Sequence, residues 1–193
     1  MMYVASCRLL DKEPAVNVLQ QAYYQFTLGA PVRENHALEH ATIVLLSRRF
    51  PDVRFSGISF ASGFFVFGDV PTAAVRPAAD QALARLRGGE PEMAIHDRCG
   101  TNLAVSGMLT AGAAMLVARQ RKPYNSFNNI MLATTASIVA SRPLGLLVQR
   151  YITTRTPASN FRIGEIKRMM VMGAPAHFVN TDHPAVHVIS SAS

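Results

Sequence analysis

The chain has 193 residues, 49% of them hydrophobic and only 16% charged, with a formal net charge of +7. That length suits one ordinary domain, or a smaller head carrying a membrane hairpin. The two cysteines, Cys7 and Cys99, exclude a disulfide framework, and basic residues with few interleaved aromatics exclude the familiar nucleic-acid modules and point instead to lipid headgroups.

Residues 1–30 form a weakly amphipathic segment with Val16, Leu19, Ala22 and Tyr23 at helical spacing, ending near Gly29. It reads equally as an interfacial helix or as an ordinary surface helix. Met1 to Asp11 is too short for a signal peptide and carries Arg8 inside it, so membrane insertion falls to internal segments and the chemistry to the reducing cytoplasm. The first strong helix is predicted from an N-cap at Asn35 through His36 to Arg49, with cations in its last turn and Pro51 as its stop. Val53 to Phe60 and Phe64 to Val70, around Ala61-Ser62-Gly63, predict a β-hairpin. Its second strand, apolar on both faces, reads as an inner strand covered on each side. A second helix follows from about Ala73 to Arg87, ended by Gly88-Gly89. This order makes residues 31–100 a compact α-β-β-α head of the α+β class.

The apolar part covers residues 101–150. No charge occurs in the 20 residues Cys99 to Ala118 or in the 19 residues Pro123 to Ser141. Each run is about long enough to cross ~30 Å of hydrocarbon, which predicts a transmembrane helical hairpin. The alternative is a soluble hairpin buried in a large core. Gly107, Ala111, Gly112 and Ala114 suit close helix packing, and Arg142 with Pro143 interrupts the second run, so Arg142 must snorkel or the span must be short and tilted. Residues 151–193 read as a basic tail with a His-containing end of unassigned structure. The basic residues after the second span outnumber the three in the turn at Arg119, Arg121 and Lys122, which puts head and tail on the cytoplasmic side.

The chemistry centres on His36-Ala37-Leu38-Glu39-His40. Residues four apart stack on one helix face, so His36 and His40 can bind one metal while Glu39 borders the same face. This is the H-x-x-E-H pattern, in which the acid takes a proton from a metal-bound water. A catalytic zinc needs a third protein ligand and an open fourth position. Cys99 is the first candidate, with Gly100 allowing close approach, and His96 is the competing ligand or a substrate contact. Asp69 and Asp97 are candidates to orient the imidazoles, or else simply cap and turn residues. His177, His183 and His187 are spaced too loosely to assign, and Cys7 has no evident partner.

Asn35-His36-Ala37-Leu38-Glu39-His40-Ala41-Thr42, Gly68-Asp69-Val70-Pro71 and His96-x-x-Cys99-Gly100-Thr101-Asn102 together resemble an uncharacterised bacterial family of small membrane proteins, over about residues 33 to 120. That resemblance implies a membrane location and no particular activity. More distantly, the motif order is similar to the S-ribosylhomocysteinase and pitrilysin-type metallohydrolases. It implies His36, His40 and Cys99 as zinc ligands, Glu39 as base, and Gly63-Phe64-Phe65 as the strand beside the site. The second catalytic cysteine of S-ribosylhomocysteinase has no counterpart in Ala61-Ser62-Gly63, and the second half of the pitrilysin fold is replaced by helices.

These features lead to the expectation of a membrane-anchored, zinc-dependent hydrolase, with a peptidase as the candidate form. Its partners would be the bilayer and membrane-complex subunits or further copies of itself, and not nucleic acid. The rivals are a non-catalytic subunit with a structural metal, and a protein that holds an ion or pigment in transit.

Overall fold

The computed structural model describes residues 29–119 and 126–183. The amphipathic segment read over residues 1–30, Cys7, most of the turn between the apolar runs and His187 lie outside the described residues. The fold is α+β. Helix α1 (Ala30–Arg49) leads into strands β1 (Ser56–Phe60) and β2 (Gly63–Phe67), then helix α2 (Thr72–Arg87) and a 3-10 turn at Pro91–Ala94. Two apolar helices follow, α3 (Gly100–Ala118) and α4 (Ser126–Val148), the latter ending in a π-helical turn at Gln149–Thr153. Strands β3 (Arg162–Val171) and β4 (Ala174–Asp182) close the chain.

The two late strands change the architecture expected of the head. They return to it and complete a four-stranded antiparallel sheet of order β1-β2-β4-β3. Residues 162–182 are therefore half of the sheet, where the sequence reading saw a basic tail. A bulge explains why the pattern was hard to read. Register shifts between Ile163 and Ile166, so both lie inward although three residues apart, and the period of two is broken. Arg162, Lys167 and Arg168 lie on the edge strand β3, where charge discourages pairing with another sheet.

Strand β2 is an inner strand, as its apolar run predicts, pairing with β1 on one side and β4 on the other. Phe64 and Val66 are fully buried against the helices. Phe65 and Phe67 point the other way and are only half-buried, Phe65 lying against the rings of Phe60, Phe67 and Phe178, with no second layer over them among the described residues. The core between sheet and helices is built from Leu38, Leu46, Phe64, Val75, Leu86 and Val179.

Helix α1 runs through the middle of the head and is buried along most of its length. It starts at Ala30, a turn and a half before the expected cap, because Pro31 sits in the first turn, where its missing N–H is not needed. Asn35 is therefore an interior residue. Its Nδ2 donates to the carbonyls of Phe60 (2.7 Å) and Ala61 (3.1 Å), and its Oδ1 accepts from Thr181 Oγ1 at 2.7 Å. One amide thus ties the helix to the β1–β2 turn and to β4. Asn35→Ala would leave these partners buried and unpaired, and is expected to cost on the order of 3 kcal/mol, read as a lowered denaturant midpoint with an unchanged slope.

Helices α3 and α4 pack against each other. Both are long and apolar enough to cross a membrane, and only 6% and 11% of their apolar windows are buried within the molecule. Among the described residues, then, no core covers the two helices. Gly107 and Gly112 face open space and so do not serve the contact between the two helices. The close approach is at Gly145 instead, where an added Cβ would lie 2.2 Å from Asn102 Oδ1. Arg142 reaches back to Asp97 at 3.0 Å, which places its charge at the head end of α4.

Candidate metal centre

Helix α1 turns one face toward a cleft of about 410 Å³. Val32, His36, Glu39, His40 and Ile43 line it from that helix, spaced i, i+4, i+7, i+8 and i+11. Residues Phe55 to Ser59 form the opposite wall, and His96 with Arg98 to Thr101 forms the end. The wall strand is β1. The Gly63-Phe64-Phe65 strand expected beside the site lies one position further into the sheet, with Phe64 in the core.

The ligand atoms of His36, His40 and Cys99 all lie within 4.8 Å of one another. Cys99 Sγ is 3.3 Å from His36 Nε2. A tetrahedral zinc asks for donors roughly 3.3–3.6 Å apart, so a small contraction completes the set. The ring orientations fit the same role. His36 Nδ1 lies 3.0 Å from the carbonyl of Thr153, and His40 Nδ1 lies 2.6 Å from that of Ala94. A carbonyl can only accept, so the proton belongs on each Nδ1 and each Nε2 keeps its lone pair for a metal. The π-helical turn ending α4 supplies one of these carbonyls, and the 3-10 turn supplies the other. Arg33 holds the π turn in place by donating to the carbonyls of Tyr151 and Thr154 at 3.1 and 3.3 Å.

Cys99 is also the N-cap of α3, its sulfur accepting from the Thr101 N–H at 3.4 Å. Burial pushes the thiol up, but His40 and the Thr101 N–H outweigh it and hold Cys99 below the ordinary thiol range. Gly100 has open space where a Cβ would stand, so its smallness is not what admits the sulfur.

His96 stands beside the three without joining them, its ring centroid 6.0 Å from that of His40. Its Nδ1 accepts the Arg98 N–H at 3.0 Å, and burial, with help from the nearby His40 and Arg98, pushes the ring below the ordinary imidazole range. The tautomer that this contact favours carries its proton on Nε2.

Glu39 is 4% exposed and accepts from Ser59 Oγ. Burial lifts its carboxyl from 4.5 to about 6, against smaller opposing effects of His36 and the Ser59 hydroxyl. Gly57 makes room for it: an added Cβ there would lie 2.3 Å from Glu39 Oε1. Neither Gly57 nor Ser59 was singled out from the sequence. The alternation of small residues in Ser56-Gly57-Ile58-Ser59 was the available signal.

The two aspartates proposed to orient the imidazoles lie elsewhere. Asp69 pairs with Arg168 at 2.6 Å and Asp97 with Arg142 at 3.0 Å, and all four side chains are at least half exposed. Backbone carbonyls do the orienting instead. Asp69→Asn and Asp97→Asn are accordingly expected to keep wild-type metal content, measured by elemental analysis of the purified protein.

Residues 31–166 match the family model described as Domain of unknown function (DUF6391). The chain belongs to this family. It is also 36% identical over 162 residues to an uncharacterized protein of Picosynechococcus sp., an alignment covering 77% of this chain and 78% of that one. No solved structure matches. The matched residues contain the whole candidate centre from His36 to Thr153 and stop inside β3.

Proposed function

We propose that this DUF6391 protein is a membrane-anchored metallohydrolase, with His36, His40 and Cys99 as metal ligands and Glu39 as general base. The observation that carries the reading is a single cleft holding two imidazoles, a thiol within reach of both and a buried carboxyl lifted to about 6. Nitrogen and sulfur donors suit zinc. When bound, the ion would act as a Lewis acid and bring the pKa of a water toward ~7.

Glu39 has the position and basicity to take one proton from the attacking water and pass it to the leaving group. Water oxygen joins the carbonyl carbon, the C–N or C–O bond breaks, and the leaving nitrogen or oxygen departs with that proton. The His96 Nε2–H stands where it can donate to a developing oxyanion. Three protein donors leave a fourth position for water, whereas a structural zinc is closed by four.

In this reading α3 and α4 span the bilayer. Nineteen residues of α3 rise about 28 Å, close to the thickness of the hydrocarbon core. Arg98, Arg142, Arg150 and Arg155 flank the head-side ends of the spans, which favours a cytoplasmic head.

The test is hydrolysis of a panel of p-nitrophenyl esters and fluorogenic anilides by zinc-loaded protein in nanodiscs. Activity that disappears with a chelator and returns with zinc is the expected result. X-ray absorption should show two nitrogens, one sulfur and one light oxygen donor. An inert protein whose metal has a fourth protein ligand would instead identify a structural subunit of a membrane complex.

A further inference from the structure

Gln149 is fully buried where α4 gives way to its π turn, although Arg150 and Tyr151 beside it are exposed. Both polar atoms of its side chain are engaged. Oε1 accepts the His96 N–H at 2.9 Å, and Nε2 donates to Asn102 Oδ1 at 2.7 Å. Asn102, in the first turn of α3, donates in turn through Nδ2 to the carbonyls of His96 (3.3 Å) and Asp97 (2.8 Å). A backbone N–H can only donate and a carbonyl can only accept, so the main chain fixes which way both amides face. The backbone carbonyl of Gln149 has a separate task. It accepts the Thr154 N–H at 3.0 Å and the Thr154 hydroxyl at 2.7 Å.

These bonds end on the groups that hold the candidate ligands. The peptide unit joining Thr153 to Thr154 has its N–H on the Gln149 carbonyl and its own carbonyl on His36 Nδ1. His96 is gripped at its N–H by Gln149 and at its carbonyl by Asn102. It stands in the chain between Ala94, whose carbonyl orients His40, and Cys99. One amide comes from α3 and the other from the end of α4, and the close approach of the two helices at Gly145 is onto Asn102 itself. We propose that Asn102 and Gln149 are positioning residues of the metal centre, a clasp through which the packing of α3 against α4 sets where Cys99 and the two imidazoles stand. This rests on the metal-centre part of the proposed function and deepens it. Without the clasp, α3 would deliver Cys99 and the turn after α4 would deliver the Thr153 carbonyl independently of each other. Partners that orient ligands in this way are worth about 10- to 100-fold in metal affinity.

The experiment uses the whole chain in nanodiscs, with bound cobalt reporting the geometry of the centre through its visible bands and zinc competition reporting affinity. Gln149→Met keeps the length of the side chain and loses both of its bonds. Asn102→Asp can still accept from Gln149 but has no donor for the two carbonyls. Gly145→Ala alters neither amide and sets a Cβ 2.2 Å from Asn102 Oδ1, so Asn102 must turn away or the helices must part. Each variant should shift the cobalt bands and weaken zinc binding about 10- to 100-fold. Val75→Ala, in the core of the head, should lower the unfolding midpoint and leave bands and affinity at their wild-type values. Variants that unfold more easily yet keep wild-type bands and affinity would reduce the pair to a structural fastening and overturn the proposal. Bands that move equally in Val75→Ala would do the same. Should Gln149→Met fail to fold, the other two variants, which leave the Gln149 side chain in place, decide the question. If cobalt gives the wild-type protein no bands at all, the metal-centre reading falls and this one with it.

Discussion

Glu39→Gln is expected to leave metal content unchanged while lowering hydrolysis about 10²–10⁴-fold. The amide preserves the shape of the side chain and can still accept from Ser59 Oγ, but it cannot take a proton. The same substitution has a second signature in metal-free protein. In the folded state burial raises the Glu39 carboxyl from 4.5 to about 6, so the folded protein prefers the protonated acid. A group raised in this way contributes fully below its unfolded pKa, and that contribution is lost as pH rises through the folded value. The loss amounts to about 2 kcal/mol at neutral pH. Glutamine stays neutral throughout. Chelator-treated Glu39→Gln should therefore unfold at a higher temperature than wild type at pH 8, with the difference closing below about pH 5. Unchanged hydrolysis would remove Glu39 as the base. A stability difference that does not vary with pH would remove the buried acid as its cause.

The second large effect is on the metal itself. His36→Ala, His40→Ala and Cys99→Ser should each weaken zinc binding by more than about 100-fold, since losing a partner that merely orients a ligand already costs 10–100-fold. Serine is the useful change at Cys99 because its hydroxyl can still accept the Thr101 N–H and cap α3. A fall in affinity then reports ligation and not a frayed helix. At a zinc concentration near a thousand times the wild-type Kd, metal stabilises the wild-type fold by about 4 kcal/mol. A variant bound a hundredfold more weakly keeps about 1.4 kcal/mol of that. Equal metal in wild type and all three variants would remove the centre altogether.

How much of this was legible beforehand follows from what is local. His36, Glu39 and His40 share a face because four residues make roughly one turn of helix, and any helix through them would do the same. The inner strand at Phe64 to Phe67, the second helix and the two uncharged runs are likewise short-range patterns of apolar residues. Asn35 shows the limit. Its side chain matches the preference for a cap, yet Pro31 starts the helix earlier, and the amide joins three separated segments instead. Asp69 and Asp97 fail in a similar way. Each has an arginine as partner, one 99 residues away and the other 45, and no local rule pairs them.

What the sequence by itself determined is the helix that presents two imidazoles and an acid, the α+β character of the head, and two helices apolar enough for a membrane. The tertiary structure alone decided the rest. It brought Cys99 to His36 across 63 residues and left His96 outside the group of three, its Nδ1 held by the Arg98 N–H. It set both ligand rings with backbone carbonyls, which every residue possesses and no sequence pattern marks. It also returned β3 and β4 to the sheet, their signal broken by a bulge. Contacts between distant segments depend on how the whole chain packs, and that information is not held in any short stretch of it.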